Sequence, residues 1–378
     1  MSGIKEIVTH SIDKFQSFLQ SIKFNIKKKL NLLGPVMIQT YYGFGNGKYF
    51  YIKGRIIEKE KINAPEDIDN FLENIHAILE RYESDEIPGA KLKATFNGES
   101  KELETDDEGF FEVEFNFDKP VKSNDLRISL TLDLLEKISH KDDQTNAGGI
   151  FYLPVKETEF GIISDLDDTV IDTKATHFLK KMKTIFLQNS KTRKALPGMA
   201  AFLRALHHNK TEKPVNPIFY LSGSSWNIFD LLIEFFDYNE IPHGPVFLKD
   251  VGIEHGRFIK EDTKKYKLTR IRKILDTNEK LKFILIGDSG QKDPEVYLKI
   301  INEYPDRILS VYIRDVTDGE RDKEMKRYEK KAAKHNVDMI VIQETIEAAT
   351  HAAEKGFIEN KSLKEIERAC KNVKDNDS

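Results

Sequence analysis

The chain has 378 residues, 39% of them apolar and 32% charged, with a formal net charge of −4. That composition supplies cores for two domains of ordinary size and excludes the global basic signature of a nucleic-acid binder. A single cysteine, Cys370, excludes an internal disulfide and a cysteine-built metal site, and no run approaches the ~18 apolar residues of a spanning helix.

Polar residues interrupt the N-terminus throughout, so it does not read as a secretory signal. The expected location is the cytoplasm, in solution or peripherally at a membrane. Residues 1–33 read as an amphipathic basic helix. Ile4, Val8, Ile12, Phe15, Leu19, Ile22, Ile26 and Leu30 recur at steps of three and four. Lys5, Lys14, Lys23, Lys27, Lys28 and Lys29 surround that face, against Glu6 and Asp13. Such a helix either packs on the next domain or rests on an anionic membrane surface.

Residues 34–158 read as a β-rich, sandwich-like domain. Strands are predicted at Val36–Gln39, Tyr49–Ile52, Ala90–Phe96, Phe110–Phe117, Leu126–Leu132 and Ile150–Val155. A helix is predicted from Pro65 to Tyr82, and Ser139–Gly149 reads as a loop. The glycine-rich run Gly43–Lys48 lacks the spacing of a phosphate loop and reads as a hairpin turn.

From Phe160 the pattern changes to apolar strands alternating with helices: Phe160–Ser164, Ile218–Ser222, Pro245–Leu248, Phe283–Gly287, Ile308–Ile313 and Met339–Ile342. Strands this apolar are buried on both faces, which predicts an α/β domain over residues 159–358 with a parallel sheet and helices on both sides. Residues 359–378 read as a charged C-terminal tail, helical and fraying.

Three strand ends carry chemistry, and open α/β sheets bind ligands at such ends. The first runs into Asp165-Leu166-Asp167-Asp168-Thr169. A carboxylate nucleophile can take a phosphoryl group and divide a difficult hydrolysis into two steps. A second acid two residues on can protonate the leaving oxygen and later activate water. Bound Mg²⁺ would neutralise charge between carboxylate and phosphate. The second strand ends at Ser222-Gly223-Ser224-Ser225, where a hydroxyl and backbone N–H groups bind phosphate oxygens or simply make a turn. The third ends in Gly287-Asp288-Ser289-Gly290-Gln291-Lys292-Asp293. Two acids after an apolar strand suit a Mg²⁺ corner, with Asp288 as direct ligand and Asp293 orienting it, or else a helix N-cap. Between the strands, the helix start Lys264-Lys265-Tyr266-Lys267-Leu268-Thr269-Arg270 offers fixed positive charge. Trp226 reads as core or as the lining of a pocket mouth. Arg314 reads equally as a phosphate ligand or as the partner of a carboxylate.

The order strand-DxDxT, strand-Ser, Lys on a helix, strand-GD…D resembles the haloacid-dehalogenase superfamily. The resemblance implies that Asp165 is the nucleophile, Asp167 the general acid and base, and Ser222 and Lys267 phosphate binders. It further implies that Asp165, Asp288 and the Asp167 carbonyl hold Mg²⁺, with Thr169, Asp293 and Arg314 in support. Phe219–Asn227, Gly244–Asp250, Gly287–Glu295 and Tyr312–Asp315 are similar to the actin-patch-type phosphatidate phosphatases and their bacterial relatives. One departure is visible: Gly223 and Ser225 stand where that family has Ser and Pro before Trp-Asn. The resemblance implies hydrolysis of phosphatidate to diacylglycerol and phosphate.

The same machinery also suits a soluble phosphoester or a phosphoprotein. A non-catalytic lipid-binding adaptor is the reading from another class, and retention of Asp165, Asp167 and Asp288 speaks against it. Phe178, Met182, Ile185 and Phe186 form a stripe that packs on the sheet or meets acyl chains.

Overall fold

The computed structural model describes residues 30, 32–58, 86–166, 198–249, 253–254, 257–258, 262–317 and 319–374. Residues 1–29 of the expected N-terminal helix, the helix expected from Pro65 to Tyr82, and the Phe178–Phe186 stripe lie outside the described residues; Leu30, Leu32 and Leu33, at the end of the first, are turn and coil.

The first half is one hydrogen-bonded sheet of eight strands: β1 Val36–Thr40, β2 Gly43–Gly45, β3 Tyr49–Glu58, β4 Lys91–Phe96, β5 Glu99–Glu104, β6 Phe110–Asn116, β7 Arg127–Leu134 and β8 Asn146–Tyr152. The order is β1-β3-β2-β8-β7-β4-β5, with β6 paired on β3. Period-two alternation drives this arrangement. In β4, Leu92, Ala94 and Phe96 are buried, while Lys91, Lys93 and Thr95 are not. Phe50 meets Phe96 at 4.7 Å and Phe151 at 5.2 Å between ring centroids, so the sheet wraps over a shared aromatic core.

Two strand readings are revised. β5, Glu-Ser-Lys-Glu-Leu-Glu, is almost wholly exposed and has no apolar face to announce it; antiparallel pairing with β4 holds it. β8 begins at Asn146, inside the segment read as a loop, because Asn146–Gly149 pairs with Leu130–Asp133 of β7. A Cβ at Gly149 would lie 2.4 Å from the Leu130 side chain, so glycine there permits close strand approach rather than a turn. The Gly43–Lys48 run forms a hairpin as expected, but its first half is strand β2 and the turn is confined to Asn46–Lys48, where the Asn46 side chain accepts from the backbone of Lys48 and Tyr49.

The second half is a mixed α/β unit with a parallel six-stranded sheet. Its elements are β9 Gly161–Asp165, α1 Met199–His208, β10 Ile218–Ser225, a 3₁₀ turn at Trp226–Ile228, α2 Phe229–Tyr238 and β11 Val246–Lys249. A short hairpin follows, β12 Ile253–Glu254 with β13 Arg257–Phe258. Then come α3 Thr263–Thr277, β14 Phe283–Asp288, α4 Asp293–Glu303, β15 Ile308–Arg314, α5 Asp322–Ala333, β16 Asp338–Ile342, α6 Thr345–Glu354 and α7 Asn360–Lys374. The sheet order is β11-β10-β9-β14-β15-β16. Ile162, Tyr220 and Ile286 face a core shared with α1, α2, α6 and α7, whereas Ile163, Leu221 and Leu285 face one shared with α3, α4 and α5. The charged C-terminal segment thus carries a packed helix, and its Ile366 is wholly buried.

The two halves share core. Tyr41 and Phe110 join the first of these layers beside Trp226 and Phe229, and Phe44 and Tyr51 join the second beside Phe219 and Phe247.

Candidate active site

The strand order reverses between β9 and β14: β10 and β11 extend one way and β15 and β16 the other. The crevice at the carboxyl ends of such a reversal is where open α/β sheets bind ligands. Asp165 is the last residue of β9 and Asp288 the last of β14, so the two acids flank that crevice from adjacent strands.

Lys267 reaches the crevice from α3 and is fully buried. Its Nζ lies 2.8 Å from Asp165 Oδ1 and 2.5 Å from Asp293 Oδ1, and it donates to Gln291 Oε1 at 3.2 Å. Asp293 opens α4 and is itself without exposure. Its second oxygen accepts the Asp288 backbone N–H at 3.2 Å. Asp288 Oδ1 accepts the Gln291 N–H at 2.8 Å. One oxygen each of Asp165, Asp288 and Asp293 lies within 4.8 Å of the others.

The electrostatics follow from this crowding. Burial acts to lower the Lys267 pKa, but the charges of Asp165 and Asp293 outweigh it and raise the pKa, so the side chain is held as ammonium. Burial, with the Asp293 charge second, pushes the Asp288 carboxyl up to about 6. Asp288 Oδ2 is buried and has no hydrogen-bond partner among the described residues. Three carboxylates thus converge on one ammonium. An orphaned carboxylate oxygen and this deficit of positive charge fit a hard divalent cation with oxygen ligands.

The flanking strands carry the other expected residues. Ser222 is buried near the end of β10, one residue past Leu221, which is level with Asp165. Its Oγ accepts the Ser224 N–H at 3.1 Å, and Gly223 is partly exposed between them. Arg314 ends β15, level with Asp288. Its Nη1 is buried without a hydrogen-bond partner among the described residues. Trp226 is core: it is 7% exposed and stacks on Tyr41 at 4.2 Å. Asp167 and Thr169 lie outside the described residues.

Three residues were missed by sequence reasoning. Gln291 ties Lys267 to Asp288, and only its place inside the Gly287–Asp293 run could have signalled it. Arg321 donates from Nη1 to the carbonyls of Ser289 and, at 3.0 Å, Gln291, bracing the same loop from the start of α5; no local signal marks it. Lys249 ends the apolar strand β11, is 4% exposed, and donates to Thr263 Oγ1 at 3.1 Å. Thr263 is one helical turn before Lys267 on α3, so Lys249 bonds to the same helix that carries Lys267. A charged residue closing an otherwise apolar strand was the available signal.

Residues 160–315 match the family described as phosphatidate phosphatase APP1, catalytic domain. The phosphatidate phosphatase APP1 of Saccharomyces cerevisiae is 33% identical over 155 residues, covering 41% of this chain and 25% of that protein. An uncharacterized protein of Schizosaccharomyces pombe is 27% identical over 251 residues, covering 65% of this chain and 38% of its own. The chain therefore spans between a quarter and two fifths of the length of the curated relatives it matches. Among solved structures, a carbohydrate acetylesterase from Xanthomonas citri aligns with a TM-score of 0.26 at 10% identity, over 71% of this chain and 65% of that one. So low a score carries no inference about fold or function. The segment 160–315, by contrast, matches the family of phosphatidate phosphatase APP1 catalytic domains, and it is this segment that the yeast relative resembles.

Proposed function

We propose that the chain is a Mg²⁺-dependent phosphatidate phosphatase, with a haloacid-dehalogenase-like catalytic domain over residues 159–358 and Asp165 as the group that takes the phosphoryl. The observation that carries this reading is the buried cluster of Asp165, Lys267, Asp293 and Asp288 at the strand-order reversal. It falls within a segment similar to the catalytic domain of a phosphatidate phosphatase.

Asp165, Asp288 and the Asp167 carbonyl would hold Mg²⁺, with Asp293 in support. When bound, the cation supplies charge neutralisation between carboxylate and phosphate oxygens. The protein's own groups do the rest. An Asp165 carboxylate oxygen attacks phosphorus, the bond from phosphorus to the diacylglycerol oxygen breaks, and Asp167 gives that oxygen its proton. Asp167 then takes a proton from water, whose oxygen attacks phosphorus and returns Asp165 with release of phosphate. Lys267, kept charged by two aspartates, orients Asp165 and offers fixed positive charge to the phosphoryl oxygens. Ser222, the Gly223 N–H and Arg314 bind the oxygens that do not react, with Thr169 in support.

No helix of the described residues is long and apolar enough to cross a membrane. Access to a lipid substrate is assigned to a peripheral approach to the anionic membrane surface from the cytoplasm. The deciding measurement is phosphate release from phosphatidate vesicles against a panel of soluble monoesters, with and without Mg²⁺. Release from vesicles that stops without the cation supports the proposal. Activity confined to a soluble ester or a phosphopeptide removes phosphatidate from it, and no activity on any of them leaves the adaptor reading.

A further inference from the structure

Ser222–Ser225 runs directly into the 3₁₀ turn Trp226–Ile228. That turn has no side-chain cap of its own, so its start is set by tertiary contacts. Ser225, at its start, pairs in register with Lys249 of β11, and the N-terminal sheet supplies further contacts. Arg55 of β3 is 7% exposed and spends its guanidinium on three acceptors: Nε to the Glu108 carbonyl at 2.8 Å, Nη2 to Glu86 Oε1 at 2.7 Å, and Nη1 to Asn227 Oδ1 at 2.8 Å. Its carbon centre lies 4.5 Å over the Phe110 ring. Beside it, Tyr41 stacks on Trp226 at 4.2 Å and meets Phe229 edge-on at 4.7 Å. Lys53 Nζ lies 4.2 Å over Phe110 and 5.4 Å from the Trp226 ring.

We infer that Arg55 is a positioning residue for the Ser222–Ser225 segment, so that the N-terminal sheet completes the phosphate site of the α/β half. This rests on the reading of Ser222 and Gly223 as phosphate binders. A planar guanidinium fixed by three acceptors and a ring is rigid, and it hands that rigidity to Asn227. Asn227 is five residues from Ser222 along the chain. A loop that must aim a hydroxyl and N–H groups at phosphate oxygens loses much of its effect when displaced by even an ångström. Tyr41 fixes the neighbouring Trp226 by stacking, a contact without the directionality of a hydrogen bond. Arg55 supplies a directional hydrogen bond from the N-terminal sheet to this turn.

The test uses the full chain, the best phosphomonoester for wild type, and inorganic phosphate as a competitive probe. Asn227→Ala removes the acceptor and leaves Arg55 with Glu86 and Glu108. It is expected to lower kcat/KM by roughly 30-fold and to weaken phosphate inhibition about 10-fold, with the melting temperature nearly unchanged. Asn227→Asp keeps an acceptor facing the guanidinium and is expected to stay within about 3-fold of wild type on both readouts. Arg55→Met is expected to match Asn227→Ala in phosphate inhibition; where it fails to fold, the Asn227 pair decides. An Asn227→Ala enzyme within about 2-fold of wild type on both readouts overturns the inference, as do equal losses in Asn227→Ala and Asn227→Asp. A wild type that releases phosphate from no monoester sinks the phosphatase reading instead.

Discussion

Lys267 sits between two carboxylates with no exposed surface, and its removal would leave them facing each other uncompensated. Lys267→Met is expected to destabilise the fold by about 3–5 kcal/mol, the typical cost of breaking a buried pair, measured by urea denaturation. Asp165→Asn leaves Lys267 its bond to Asp293, so folding should survive while turnover falls by roughly 10³-fold or more; a rate unchanged from wild type refutes the nucleophile. His207 gives a pH signature remote from this cluster. Burial pushes its imidazole down to about 4, and Nδ1 lies 2.6 Å from the Asn216 carbonyl. The folded state therefore resists a proton that the unfolded chain accepts near pH ~6.5. Stability is full above that value and is lost as pH falls toward 4, by up to about 3 kcal/mol. His207→Gln should flatten that part of a stability-against-pH curve. At this scale the meeting of Asp165, Asp288, Asp293 and Lys267 was legible, because acids that follow apolar strands of a parallel sheet gather at its carboxyl edge and a cluster of them calls for a cation. Arg321 was not, since it reaches the Ser289 and Gln291 carbonyls from 32 and 30 residues away in sequence.

The junction of β14 with α4 shows how an element can enforce a site. A Cβ on Gly287 would lie 2.6 Å from Asp293 Oδ2 and 2.9 Å from the Tyr297 ring. Gly287→Ala must therefore shift Asp293, and with it the bonds to Lys267 and the Asp288 N–H. Activity is expected to fall by about 10²-fold, with a larger Mg²⁺ requirement in a titration of phosphate release, while the circular dichroism of the fold persists. Elements with apolar faces were legible: the strands at the core of the α/β sheet announce themselves by continuous burial, and β4 and β6 by alternation. β5 was not, because Glu99–Glu104 buries almost nothing and its strand state comes from its neighbour. The same charged composition on an edge discourages pairing with other chains.

Across the molecule, the halves are joined by core rather than by a linker alone. Tyr41 and Phe110 from the N-terminal sheet share a buried cluster with Trp226, Phe202 and Ile284. Heating should give one transition, with calorimetric and van't Hoff enthalpies equal. Tyr41→Ala, a cavity costing about 3–5 kcal/mol by analogy with other buried aromatics, should split it into two. The alternation of strands and helices predicted an α/β half, but nothing in the pattern announced how closely the N-terminal sheet joins it, since Tyr41 and Trp226 are separated by 185 residues of chain. The chain's only tryptophan is Trp226, and it lies at this seam with Tyr41 against one face and the Lys53 ammonium nearby. Intrinsic fluorescence excited at the indole band therefore has a single emitter, and its environment is the contact between the halves. Quencher access and emission wavelength become a direct optical gauge of whether the seam is closed, with no label added.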